Sequence, residues 1–208
     1  GKPFCLPCLR GTTSGASGAA ICTSCTAGKY MNSTASTASD CRWAPIGRYV
    51  SSGSTSTVAA PDGFKTTECL NKQDASSPGC QSFVRCDAGK HATETRMYCR
   101  SCPSGYFSSP GVMECSECQA GKYAAEYKPA LKSQCNDCPK GWFSDSKAAI
   151  ACTKCGPGQI TANLGLSSCS LCDLGTFSAN AGGSSCSKCP KGFVQSRRGA
   201  ELCQACLS

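Results

Sequence analysis

Apolar positions along this chain neither recur at the 3.6-residue period of a helix nor alternate over the length of an ordinary strand. They follow a longer ruler. From Cys138 to Cys206 the order is a Cys, a Gly three residues on, a bulky apolar residue five on and a Cys fourteen on, with Ser-, Ala- and Gly-rich polar stretches between. Cys152, Cys169, Cys186 and Cys203 recur every 17 residues, and Gly165, Gly182 and Gly199 each stand four residues before the closing Cys. No interval between cysteines holds three turns of helical periodicity, and Gly and Pro punctuate every unit. The pattern predicts strands of two to four residues joined by turns, with little or no helix. Fixed self-similarity at so short a period predicts an elongated tandem array of hairpin and turn units, each packed on its neighbours.

The same frame can be followed from the start of the chain. Cys8, Gly11, Gly18 and Cys22 keep the spacing without the aromatic, while Cys25, Gly28, Tyr30 and Cys41 keep the aromatic and lengthen the second loop. A unit tolerating insertion after the ring turns that loop outward. At Ala44 the second Cys of a Cys-x-x-Cys is missing, although Ala44, Gly47 and Tyr49 continue the frame; its missing partner is expected at Cys69. A Ser/Thr/Gly/Ala-rich insert covers residues 51–61, and Cys69 to Cys80 makes an extra short loop. Cys86, Gly89, His91 and Cys99 restart the pattern with a histidine in the ring position. The expected divisions are N-terminal repeats over residues 1–49, an irregular insert over 50–85 and regular repeats over 86–208.

Composition explains what could hold such an array together. The 208 residues include 22 Cys, 22 Gly and 11 Pro but only 7% aromatics, too few large side chains for an ordinary core. Cysteine at this density marks a disulfide scaffold, and disulfides persist in oxidising compartments, so the chain is expected to be extracellular, secreted or on a cell-surface appendage. No run of about 20 apolar residues could span a bilayer, and the start does not resemble a signal peptide.

The repeated spacing offers one simple pairing, the second Cys of each pair with the first Cys of the next. It joins Cys8 to Cys22, Cys25 to Cys41, Cys86 to Cys99, Cys102 to Cys115, Cys118 to Cys135, Cys138 to Cys152, Cys155 to Cys169, Cys172 to Cys186, and Cys189 to Cys203. Cys69 with Cys80 restores even arithmetic. A pairing that crosses two units stays open from sequence alone. Each loop of about 14 residues is worth on the order of 3 kcal/mol by chain entropy, so these staples can replace a core. The turn Gly supplies unusual dihedrals, and the Tyr or Phe is expected against the disulfide.

Cys5 and Cys206 are left over, one near each end. The tail Cys206-Leu207-Ser208 followed by the head Gly1-Lys2-Pro3-Phe4-Cys5 spells the start of one more repeat. The chain therefore reads either as a head-to-tail unit, with Cys206 joined to Cys5 of the next copy, or as a slice of a longer array.

The unit C-x-x-C-x-x-G-x-[FY]-(x)n-G-x-x-x-C-x-x-C resembles the ephrin-receptor-like cysteine-rich repeat, a relative of tumour-necrosis-factor-receptor modules. Such repeats also fill surface and mastigoneme-type glycoproteins of algae and other protists. The likeness is specific from Cys99 to Cys206, good from Cys5 to Tyr49, and broken between Val50 and Cys86. It implies an elongated extracellular stalk without catalysis.

Rival chemistries fit the pattern less well. A zinc ribbon pairs Cys-x-x-Cys motifs about 15–20 residues apart, whereas these gaps are mostly 13 and evenly spaced. A redox Cys-x-x-Cys needs an activated thiolate at a helix start, and near-equivalent motifs in loops point to structure. His91 is the only histidine and takes a ring position, and the acids are dispersed, so no catalytic set, metal site or cofactor is expected. The formal charge of +8 comes from scattered Lys and Arg without interleaved aromatics. That distribution disfavours nucleic acid and leaves polyanionic polysaccharide as a distant alternative to a solvated surface.

Covalent glycans are expected. Asn32-Ser33-Thr34 is an acceptor sequon, and residues 12–17, 33–39 and 51–57 are Ser/Thr clusters suited to O-linked sugar. The expected function is structural: a stapled rod assembling head-to-tail with itself into a filament, sheath or appendage, with lateral contacts from the insert. The alternative is a receptor or adhesion stalk binding a protein or sugar ligand.

Overall fold

The computed structural model describes residues 7–14, 21–34, 41–71, 75–125 and 133–206. Among them there is no helix; eleven two-stranded antiparallel sheets follow one another along the chain. Among the described residues no helix is long and apolar enough to cross a membrane. The chain divides into two compact units, Gly1–Arg100 with Pro110–Glu114, and Ser101–Ser109 with Cys115–Ser208.

The first unit pairs β1 (Thr12–Thr13) with β2 (Thr23–Ser24), β3 (Lys29–Tyr30) with β4 (Arg42–Trp43), β5 (Arg48–Tyr49) with β6 (Val58–Ala59), and β7 (Phe64–Thr67) with β8 (Ser82–Arg85). β9 (Lys90–Ala92) pairs with β10 (Cys99–Ser101). The second unit holds β11 (Tyr106–Phe107) with β12 (Ser116–Glu117), β13 (Lys122–Tyr123) with β14 (Asn136–Asp137), and β15 (Trp142–Phe143) with β16 (Thr153–Lys154). Three more hairpins follow: β17 (Gln159–Ile160) with β18 (Ser170–Leu171), β19 (Thr176–Phe177) with β20 (Ser187–Lys188), and β21 (Phe193–Val194) with β22 (Gln204–Ala205).

Strands this short cannot stand alone, and a repeated set of backbone hydrogen bonds joins them. Within a hairpin, the amide of the second cysteine donates to the turn-glycine carbonyl, as Cys155 does to Gly141 at 2.9 Å and Cys172 to Gly158 at 2.9 Å. Between hairpins, the turn-glycine amide donates to the next unit, as Gly141 does to Thr161 at 3.0 Å and Gly158 to Ser178 at 2.7 Å. A third bond runs back from the second loop: Gly182 donates to Cys155 and Gly199 to Cys172, both at 2.8 Å. The first unit uses the same bonds, with Gly28 donating to Val50 and Gly53 to Cys25, both at 2.9 Å.

The buried material is correspondingly thin. Innermost are most of the cysteines that open a unit and, in nine of the units, the residue three after the turn glycine: Met31, Val50, Thr66, Ala92, Ser108, Ala124, Ser144, Thr161 and Ser178, none more than 7% exposed. The rings one position earlier, Tyr30, Tyr49, Phe107, Tyr123, Phe143 and Phe177, are only half-buried. Hairpins approach one another through backbone, so the space between them admits a small side chain and leaves the large one at the margin. Cross-strand pairs cover that margin, with the Lys29 ammonium 4.1 Å from the centre of the Trp43 ring and Lys154 at 5.2 Å from Trp142.

Candidate functional site

The chemistry-bearing residues of this chain are its sulfurs. Nine bonds close successive hairpins: Cys8–Cys22, Cys25–Cys41, Cys86–Cys99, Cys102–Cys115, Cys118–Cys135, Cys138–Cys152, Cys155–Cys169, Cys172–Cys186 and Cys189–Cys203, with paired Cα atoms 5.6–5.9 Å apart. A tenth joins Cys69 to Cys80. In the regular units from Cys86 to Cys172 the opening sulfur lies in the interior, with Cys118, Cys138, Cys155 and Cys172 at 0% exposure, the closing one is half-buried, and Cys189 of the last unit is half-buried as well. Sulfurs bonded in this way are not thiolates, and a metal-ligating or nucleophilic cysteine needs the thiolate.

Residues 44–85 hold two hairpins without the usual staple, an arrangement that reading by cysteines did not disclose. The Ala60 amide donates to Gly47 at 3.0 Å, as Cys155 does to Gly141, so Ala60 occupies a cysteine position. One hairpin runs from Ala44 through β5 and β6, and the position three before Ala60, where a regular hairpin has its closing cysteine, is Thr57 rather than the expected Cys69. The other runs from Ala60 through β7 and β8, where the residue preceding the last two strand positions is Phe83. Gly53 and Gly79 stand four residues before Thr57 and Phe83, donating to Cys25 at 2.9 Å and to Ala44 at 3.0 Å. The available signal was the repetition of glycine: Ala60-Pro61-Asp62-Gly63-Phe64 parallels Cys102-Pro103-Ser104-Gly105-Tyr106.

Other contacts stand where the two staples are absent. Arg48 Nε donates to Thr57 Oγ1, and its terminal nitrogen donates to the Thr57 carbonyl at 2.7 Å. Phe83 packs its ring 4.8 Å from that of Tyr49 and 5.4 Å from that of Phe64. Arg96, from the following hairpin, donates to the Ala60 carbonyl at 2.6 Å and to Asp62 at 2.7 Å. The Cys69–Cys80 bond clamps the long β7–β8 hairpin near its tip, and the Cys80 carbonyl accepts the Val50 amide at 3.0 Å.

The remaining sequence-predicted residues stand at different places along the chain. Cys206 follows β22 as an exposed free thiol, and Cys5 lies outside the described residues. Asn32, Ser33 and Thr34 are all exposed just after β3, while the rest of that Ser/Thr cluster lies outside the described residues. His91 sits half-buried on β9 in the ring position.

Comparison with known proteins agrees with this geometry. Residues 126–165 and 161–206 each match the family described as tyrosine-protein kinase ephrin type A/B receptor-like. No curated protein matches the chain at a significant level. The chain thus carries tandem ephrin-receptor-like cysteine-rich repeats over residues 126–206. With ten disulfides, they indicate an extracellular or cell-surface location.

Proposed function

We propose, from the ephrin-receptor-like repeats over residues 126–206, that this extracellular chain is a structural, non-enzymatic glycoprotein that assembles head-to-tail with itself into a filament, sheath or appendage. The observation that supports the reading is the set of hydrogen bonds joining each hairpin to the next. It uses backbone atoms, recurs with little change, and can add one hairpin after another without altering those before it. Gly121, Gly141 and Gly158 each face the carbonyl of a residue 41 to 44 positions on. The exposed Cys206 thiol follows β22 and bonds Cys5 of the next copy. Asn32 carries N-linked sugar, and the residues around β5–β8 supply lateral contacts.

The exposure of Val58 and Val84, at 51% and 45%, favours a second reading in which the same repeats form a receptor or adhesion stalk that binds a protein or sugar through this region. A gel of native material with thiols blocked beforehand separates the two. A ladder that collapses on reduction to one band near the 21.4 kDa chain plus its sugar is the outcome expected of Cys206–Cys5 assembly. A single 21.4 kDa species without reductant sinks covalent assembly, and a larger species that survives reduction makes these repeats a segment of a longer tandem polypeptide.

A further inference from the structure

One cavity in the first unit has a composition that the stacking of hairpins does not require. Its volume is about 340 Å³, and it opens to solvent between the end of the β7–β8 hairpin and the β9–β10 hairpin. Lys65, Val84, Arg85, Asp87, Lys90, Tyr98 and Cys99 line it. Three cations face one carboxylate, a surplus of two positive charges. That carboxylate neutralises little, since Asp87 is 4.0 Å from Lys90 and its side chain is 86% exposed. Neither Lys65 nor Arg85 has an acidic side chain within ion-pair distance among the described residues.

The cavity also has an apolar wall. Tyr98 is 67% exposed and Val84 45%. The Tyr98 backbone is fixed, its carbonyl accepting both the amide and the hydroxyl of Thr93 at 3.0 and 3.2 Å. Val84 is held by its register with Lys65 across β7–β8. An exposed ring on an anchored backbone, beside three cations, suits a ligand with one apolar face and anionic groups at its edge.

We propose that this cavity binds an acidic saccharide, a glycan bearing sulfate or uronate groups. Lys65, Arg85 and Lys90 take the anionic substituents through charge-assisted hydrogen bonds, and Tyr98 and Val84 take the C–H face of a sugar ring. The volume lies at the lower end of the range for small-molecule sites, which suits one or two sugar residues of a longer chain. A lone phosphate or sulfate would use the cations and leave Tyr98 idle. The site is separate from the head-to-tail joint, since none of its residues belongs to the head or tail of the chain.

The test titrates the full disulfide-bonded chain with a heparin-derived hexasaccharide, an oligogalacturonate, neutral maltohexaose and inorganic sulfate. Binding of either acidic oligosaccharide, with maltohexaose silent, is the expected result. Lys65→Gln with Arg85→Gln should weaken it about tenfold or more, the loss of one or two charge-assisted contacts, while Lys188→Gln with Lys191→Gln should change it less than about twofold. Tyr98→Ala should weaken saccharide binding and leave sulfate binding unchanged. Equal losses in the two double variants, silence of both acidic probes, or a Tyr98→Ala variant that binds the saccharide normally would each overturn the proposal. Ten intact disulfides by mass and an unchanged melting curve establish that each variant is folded.

Discussion

The turn glycine of one hairpin lies against the carbonyl of a hairpin further on: a Cβ added to Gly141 would sit 2.0 Å from the oxygen of Gly182. A Cβ added to Gly121 would likewise sit 2.1 Å from the oxygen of Gly165, and one added to Gly158 2.0 Å from that of Gly199. Backbone meets backbone at these points, and no flexible side chain can yield.

Gly141 and Gly192 therefore make a paired test. Both have φ of 82–84°, in the left-handed region, but nothing lies within 4 Å of a Cβ at Gly192. Gly192→Ala should cost only the backbone strain, about 1–2 kcal/mol. Gly141→Ala adds a clash with fixed backbone and should cost about 3 kcal/mol or more in all. Thermal unfolding of the two variants checks the difference, and equal losses would mean that the close approach does not matter.

The unstapled hairpins invite a complementary experiment. Ala44 and Thr57 occupy the places where every regular hairpin has bonded sulfurs, and Ala44 is fully buried. Ala44→Cys with Thr57→Cys should form an eleventh intramolecular disulfide on oxidation, shown by a mass loss of two hydrogen atoms and resistance to alkylation. Closing a loop of about 14 residues should add about 2–3 kcal/mol, less whatever the Arg48 contacts to Thr57 contribute at present. Two free thiols in that variant would mean that Thr57 does not stand opposite Ala44 in the way the hydrogen bonds imply.

Phe83 should be the weak point of the first unit. Its ring joins Tyr49 and Phe64 where neither hairpin carries the ordinary staple, yet it is 36% exposed. Truncation to Ala should cost about 2 kcal/mol, below the usual figure for a fully buried ring. Limited proteolysis of Phe83→Ala should cut first within residues 44–85, since local opening starts where contacts are fewest. Cleavage spread evenly over the chain would show that the rings add nothing local.

Most of this architecture is legible in spacing. Cys and Gly recur where the backbone needs a crosslink or a left-handed turn, so the hairpins of residues 86–206 can be placed by counting. Residues 44–85 are harder because the staple, the signal being counted, is absent while the glycine frame persists through Gly47, Gly53, Gly63 and Gly79. Ala44 is already legible as a lost cysteine, but Ala60 reads as an ordinary small residue until its amide bond to Gly47 puts it in a cysteine position too. Interior selection was hidden for another reason. The conspicuous Tyr and Phe stay half-exposed, and Ser108, Ser144 and Thr161, which a hydropathy reading leaves outside, are inside. They are admitted because they are small, and Thr161 meets its polarity by donating to the Trp142 carbonyl at 3.2 Å. The cationic cavity could not be anticipated, since Lys65 and Lys90 are 25 residues apart in sequence and come together only when two hairpins stack.

The sugar at Asn32 can be tested without disturbing the fold. Asn32, Ser33 and Thr34 are exposed after β3, and the neighbouring Met31 is 2% exposed, so the interior ends one residue before the acceptor amide. A glycan there can extend into solvent, and the residues that hold the hairpin do not include Asn32. Asn32→Gln, produced in a host with an N-glycosylation pathway, should lose the mass of one glycan and its sensitivity to amidase digestion. The melting temperature should move by no more than a surface substitution allows, within about 0.5 kcal/mol. An unchanged mass would show that the sequon is unused, and a large loss of stability with the glycan removed would show that the sugar packs against the hairpin.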